Sequence, residues 1–243
     1  GDRMTFLFVL VGAAVFAVLC KGIIKAHPGV FYALAITLDV LFVVGSFVRL
    51  PGALDDALFL LLHKCTLATA LFAIVMYIGV FKRDGRVAQQ LRPIRAELSI
   101  VAWLLSLAHM AVYLASYATR LSSGFAQANV AAALVVALAL FVLLLVLGVT
   151  SFNAVKRRMS RTTWKRVQLW AYPFFGLVYV HVMLMLLPSA LRGGVAAQTS
   201  VAVYSVVFLG YAVARSARAV ADRAGVTSLR EKTHPEGQET PAA

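Results

Sequence analysis

The sequence predicts an all-α fold, a polytopic membrane helical bundle of about seven transmembrane helices. Apolar residues make up 61% of the 243 residues and charged residues only 14%, whereas an ordinary soluble domain carries about a quarter charged. Mean hydropathy is +0.85. Apolar runs recur along the chain, and about twenty such residues suffice to cross the hydrocarbon core as a helix.

Seven runs read as spans. The first, Met4–Ile24, is N-terminal and apolar, yet Lys21 and Lys25 follow it rather than precede it and no small-x-small cleavage site follows. It reads as a span, not a signal peptide. The chain opens on Gly1 rather than Met, which leaves room for residues removed upstream. Val30–Val48 comes after a short loop with His27 and Pro28, Leu54–Phe81 carries His63 and Cys65, and Ile94–Thr119 carries His109. Ala128–Phe152 is followed by a dense basic loop, Val167–Leu191 carries His181, and Thr199–Val220 closes the series. Residues 1–221 thus form the transmembrane domain. Residues 222–243 are polar, with Pro235, Gly237 and Pro241, and read as a disordered cytoplasmic tail.

The formal charge of +13 is unevenly spread. Lys82, Arg83, Arg86, Arg92 and Arg95 follow the third run. Lys156, Arg157, Arg158, Arg161, Lys165 and Arg166 follow the fifth, and Arg215, Arg218, Arg223, Arg230 and Lys232 attend the seventh. The alternate loops hold Arg49, Arg120 and Arg192. Cytoplasmic loops hold the Lys and Arg excess, so the N-terminus is expected outside and the C-terminus in the cytoplasm of a bacterial inner membrane. With no soluble basic domain to grip a duplex, the charge implies topology and anionic-lipid contact, not nucleic acid. Cys20 and Cys65 form no CxxC pair and read as packing residues.

Ionisable side chains inside a span are functional-site candidates by default, because burying them in hydrocarbon is costly. At 1.5 Å of rise per residue, His181 lies about 24 Å along its helix from Lys165 and His109 about 21 Å from Arg95, while His63 lies about 14 Å from its outer end. All three therefore fall at or beyond the midplane on the outer side. A b-type haem takes two axial imidazoles from facing helices and an apolar slot. Zinc would want three or four ligands and non-haem iron a carboxylate, of which this half offers only Asp39, Asp55 and Asp56. His109 and His181 are the expected iron ligands, with His63 a further candidate and Arg49, Arg120 and Arg192 placed to pair with propionates. Each histidine also has a plain alternative, a hydrogen bond to a neighbouring helix. Trp103, Tyr113, Tyr117 and Tyr179 line a quinone pocket in one reading and simply pack in the other.

The stretch Thr150–His181, with Thr150, Ser151, Lys156, Arg157, Arg158, Trp164, Tyr172 and His181, resembles the ferric reductase-like transmembrane domain. Within it, the likeness is strongest to the haem-binding, quinol-linked membrane subunits of bacterial methionine sulfoxide reductase systems. The run Arg95–Leu114, with His109, resembles a second signature of that family. The resemblance covers about Leu54 to Val220 and implies a six-helix core and electron transfer. It implies haem b as cofactor, quinone as a further ligand, and an extracytoplasmic redox partner; the chain would be a subunit of an oxidoreductase rather than a complete enzyme. One departure matters: Gln168 stands where the family carries a histidine, thirteen residues before His181, and a bend at Pro173 would be needed to align the two positions. A single outer haem is therefore expected. Rival expectations are a haem-free transporter subunit or structural anchor, and a cytochrome b561-like arrangement with His63 as ligand.

Overall fold

The computed structural model describes residues 5–81, 85–122 and 128–233, and among these every regular element is helical. Helices α1 (Thr5–Leu19) and α2 (Lys21–Ala26) come first, and α3 (Pro28–Gly45) begins on the proline that follows His27. Proline suits that first helical position because its fixed φ is helical and its missing N–H would be unpaired there anyway. Next come α4 (Gly52–Leu58), a π-turn (Phe59–His63) and α5 (Thr66–Ile78). Then α6 (Arg86–Leu91) and a 3₁₀ turn (Arg92–Ile94) lead into α7 (Arg95–Ser122). After α8 (Ala128–Ser151), the short α9 (Asn153–Lys156) and α10 (Arg161–Gln168) precede α11 (Ala171–Leu191) and α12 (Val195–Thr233).

The membrane architecture is polytopic and helical, but the seven expected spans are not seven equal helices. Among the described residues five helices are long and apolar enough to cross, and the pair Gly52–His63 and Thr66–Ile78, bent by 44°, makes a sixth when counted as one broken span. The first run yields only a 15-residue helix, Thr5–Leu19, about 22 Å long against a hydrocarbon core of about 30 Å. Its continuation is turned off at Cys20 into α2. The sixth run also differs from expectation. Its helical ladder is interrupted at Leu169–Trp170, between α10 and α11, while Pro173 sits in the first turn of α11, and Arg161–Leu191 still runs as one apolar stretch. The reason is steric: a proline ring collides with the carbonyl four residues earlier, which here is Leu169. The polar end expected to be disordered from Asp222 is helical as far as Thr233, since no proline interrupts it before Pro235. Residues 234–243 lie outside the described residues.

Helix α5 is the centre of the bundle. Ala68, Ala70 and Ala73 are wholly buried, and small side chains let neighbouring backbones approach closely where lipid supplies no hydrophobic drive. It packs on α1 and α7, while α7 packs on α3 and α8, and α11 on α8 and α12. Hydrogen bonds cross these seams: Tyr77 Oη donates to the Val207 carbonyl at 2.7 Å, and Tyr179 and Ser205 share a hydroxyl bond at 2.8 Å. At one end Lys25 pairs with Glu97 at 2.8 Å, tying α2 to α7. Large apolar residues such as Val142, Val206 and Val213 point outward, as lipid-facing positions require. Helix ends are set locally. Ser160 Oγ accepts from the Thr163 N–H at 3.0 Å to start α10, and Gly193, at φ 86°, makes the turn after α11.

Where α7 meets α8, Gly148 lies against the indole of Trp103, and a Cβ at 148 would overlap the ring. Gly148→Ala is therefore expected to cost about 1–3 kcal/mol, as overpacking of a fitted contact does. Thermal unfolding in detergent should show a lowered midpoint that the double variant Trp103→Leu/Gly148→Ala recovers in part; an unchanged midpoint for Gly148→Ala would refute the fitted contact.

Candidate functional site

The break between α4 and α5 shapes the site. No glycine or proline occupies Phe59–Leu67, yet the chain widens into a π-turn and Cys65 adopts the left-handed conformation, φ 52°. Among the described residues it is the one non-glycine at positive φ. Such strain costs on the order of 1–3 kcal/mol and persists where the surroundings demand it. The break is braced locally: Thr69 donates both its N–H and its hydroxyl to the Cys65 carbonyl, at 3.0 and 2.8 Å. It interrupts the helical ladder and turns the His63 carbonyl toward α7, where His109 Nδ1 hydrogen-bonds to it at 2.8 Å.

His181 is held in the same way. Its Nδ1 hydrogen-bonds to the Ala133 carbonyl of α8 at 3.1 Å. A carbonyl can only accept, so each imidazole carries its proton on Nδ1, which leaves Nε2 with its lone pair. Both histidines line one cavity of about 410 Å³, within the 300–1,000 Å³ range usual for ligand and cofactor sites. Its walls come from α1, α5, α7, α8, α11 and α12, with Phe72, Phe141, Leu144, Phe174 and Val178 among the apolar residues. Phe72 and Phe174 meet edge to face at 5.1 Å.

His63 lines the same cavity, so the structure brings all three histidines together. Its ring nitrogen Nε2 is hydrogen-bonded to Tyr113 Oη at 2.9 Å, and its ring lies against Phe59 and Phe42. Tyr113 in turn lies against His109 at 4.6 Å and Tyr117 at 6.0 Å, and both tyrosines line the cavity. Two of the three arginines are placed elsewhere. Arg192 caps α11 and Arg49 is exposed, neither lining the cavity, and the Arg120 side chain lies outside the described residues. The cation that does line it is Lys64, which also lies over the Phe59 ring at 5.3 Å. Its signal in the sequence was a lysine inside an apolar run, beside a histidine. No carboxylate lines the cavity among the described residues, and no three His, Cys, Asp or Glu side chains there converge on a metal position. Two imidazole donors facing an apolar slot fit a bis-histidine haem and not a zinc site.

Gln168 lies at the other end, where its amide donates to Thr150 Oγ1 at 3.2 Å. Trp164 Nε1 donates to the Thr150 carbonyl at 3.0 Å, and Lys156 lies over the Trp164 ring at 4.4 Å. These residues fasten α10 across the end of α8. Trp103, which the sequence offered for a quinone pocket, packs against Phe152 at 5.5 Å, and Tyr179 is bound to Ser205; neither lines the cavity.

Residues 64–179 match the family described as ferric reductase like transmembrane component. An uncharacterised protein of Treponema pallidum (strain Nichols) is 38% identical over 235 residues, which are 93% of this chain. The chain spans 64% of that relative's length. No solved structure matches.

The break itself is open to test. Cys65→Gly is expected to retain or raise stability, since glycine adopts positive φ freely, whereas Cys65→Ile should cost about 1–3 kcal/mol. Thermal unfolding of the two variants separates them, and equal midpoints would rule out a strained Cys65.

Proposed function

We propose that this ferric reductase-like chain is a membrane electron-transfer subunit that holds one b-type haem between His109 and His181. One observation carries the reading: two imidazoles, from α7 and α11, line a single apolar cavity while backbone carbonyls fix both Nδ1 protons. Hydrogen bonds of this kind orient a metal-binding imidazole and raise its basicity. A bis-histidine haem supplies reversible one-electron exchange between ferric and ferrous iron.

The chain's own residues do the rest. His109 and His181 would hold the iron, since their Nδ1 protons are already engaged. Phe72, Phe141 and Phe174 keep water from the slot, and Lys64 supplies positive charge for a propionate, a part the sequence also offered to Arg49, Arg120 and Arg192. His63 acts through its carbonyl and its bond to Tyr113, as a positioning residue rather than a ligand. Quinol is the electron donor that a single haem on the outer side suits best, and the acceptor is an extracytoplasmic redox partner. The basic ends at Arg86–Arg95 and Lys156–Arg166 face the cytoplasm of a bacterial cell membrane, by the positive-inside rule. Gln168, engaged with Thr150, supports one haem rather than two.

A reduced-minus-oxidised optical spectrum of the purified protein tests this directly. Expression with adequate haem should give b-type bands, and their absence would leave a haem-free anchor or transporter subunit as the better reading. His109→Ala and His181→Ala should each lose most of the b-type absorbance, while His63→Ala, which keeps the carbonyl, should retain it. Normal spectra in the first two variants would refute the ligand assignment. For orientation, a reporter joined after Lys156 should be active only in the cytoplasm, and one placed after Gly193 only outside it; the opposite pattern would invert the topology.

A further inference from the structure

Asp39 is the one acidic residue in the middle of α3. Its Oδ1 is buried without a hydrogen-bond partner. The carboxyl reaches the backbone of α7 at Ala108, next to His109, and lies close enough to Cys65 for their charges to interact. One turn along α3, Phe42 lies against the His63 ring at 6.1 Å. Cys65 in turn meets Ser106, Sγ to Oγ at 4.0 Å, and both of them line the cavity. The thiol and hydroxyl are exchangeable groups, so this wall is chemically able to pass a proton.

A lone carboxylate at this depth is expensive, and apolar packing would serve the fold better. It gains a purpose if charge elsewhere in the same low-dielectric region changes, because two charges there interact far more strongly than in water. Building on the haem reading above, we propose that Asp39 is the proton-accepting group coupled to the cavity's one-electron cycle. When one electron, supplied by a quinol or by a chemical reductant, converts ferric to ferrous iron, the Asp39 carboxylate takes up one proton. When the electron leaves, the proton leaves, and the net charge of the region is unchanged in either direction. The other titratable group whose charge is felt at Asp39 is Cys65 at the break, while His109 follows Ala108 on α7 and His63 meets Phe42 on α3. Asp55 and Asp56 of α4 lie toward one end of α3, and Lys25 of α2 lies at the other, in its ion pair with Glu97.

The experiment is a spectroelectrochemical titration of the full haem-loaded chain in detergent over a series of pH values, with reduced-minus-oxidised infrared spectra alongside. In the unsubstituted protein the midpoint potential should fall as pH rises. The infrared difference should contain a carboxylic C=O band that shifts in D2O. Asp39→Asn should keep the b-type bands, lose the infrared band and flatten the pH dependence. If Asp39→Asn does not hold haem, Asp39→Glu should retain the pH dependence and move the band's frequency. A pH-independent potential in the unsubstituted protein, an unchanged slope in Asp39→Asn, or an unmoved band in Asp39→Glu would overturn the proposal while leaving the haem reading intact. Absence of b-type bands in the unsubstituted protein would overturn both.

Discussion

The hydrogen bond from His109 to the His63 carbonyl, at 2.8 Å, is the constraint around which the rest of this structure is arranged. Inside a bilayer every backbone polar group must find a partner within the protein, and irregular backbone survives only where protein surrounds it. The break at His63–Cys65 meets that condition because α3, α5 and α7 enclose it. The imidazole of α7 takes the His63 carbonyl that the ladder releases, and Thr69 secures that of Cys65. One irregularity thus settles the tautomer of His109, the bend of the third span, and the position of His63 beside Tyr113.

The spans were legible in the sequence because solvent class leaves a strong compositional mark: lipid outside and packing inside both demand apolar residues. The histidines were legible because depth follows from a constant rise per residue, so His63, His109 and His181 could be brought toward one level without a structure. The break was not legible. Phe59–Leu67 carries none of the glycine or proline that usually punctuates a helix, and its cause is a contact with residue 109, far along the chain. The interruption of the ladder at Leu169–Trp170 was, by contrast, available locally, since the clash of the Pro173 ring falls four residues back.

The motif around Thr150 teaches a different lesson. Thr150, Trp164 and Gln168 stand out in the sequence beside a basic loop, and in the structure they bind one another and hold α10 to α8. Their prominence reflects the difficulty of anchoring an amphipathic helix at the end of a span. Arg49 and Arg192 show the same limit from the other side. A boundary arginine is easily read from sequence, but whether it reaches a cavity depends on helix rotation, which periodicity fixes poorly in a segment that is apolar on every face.

The two carbonyls that hold the histidines are not equivalent. Ala133 belongs to the regular ladder of α8 and shares its oxygen with that helix, at 3.1 Å from His181, whereas the His63 carbonyl stands at the break, at 2.8 Å from His109. One imidazole is thus held by ordinary helix and the other by a strained turn, so a change at Cys65 would reach His109 and leave His181 in place.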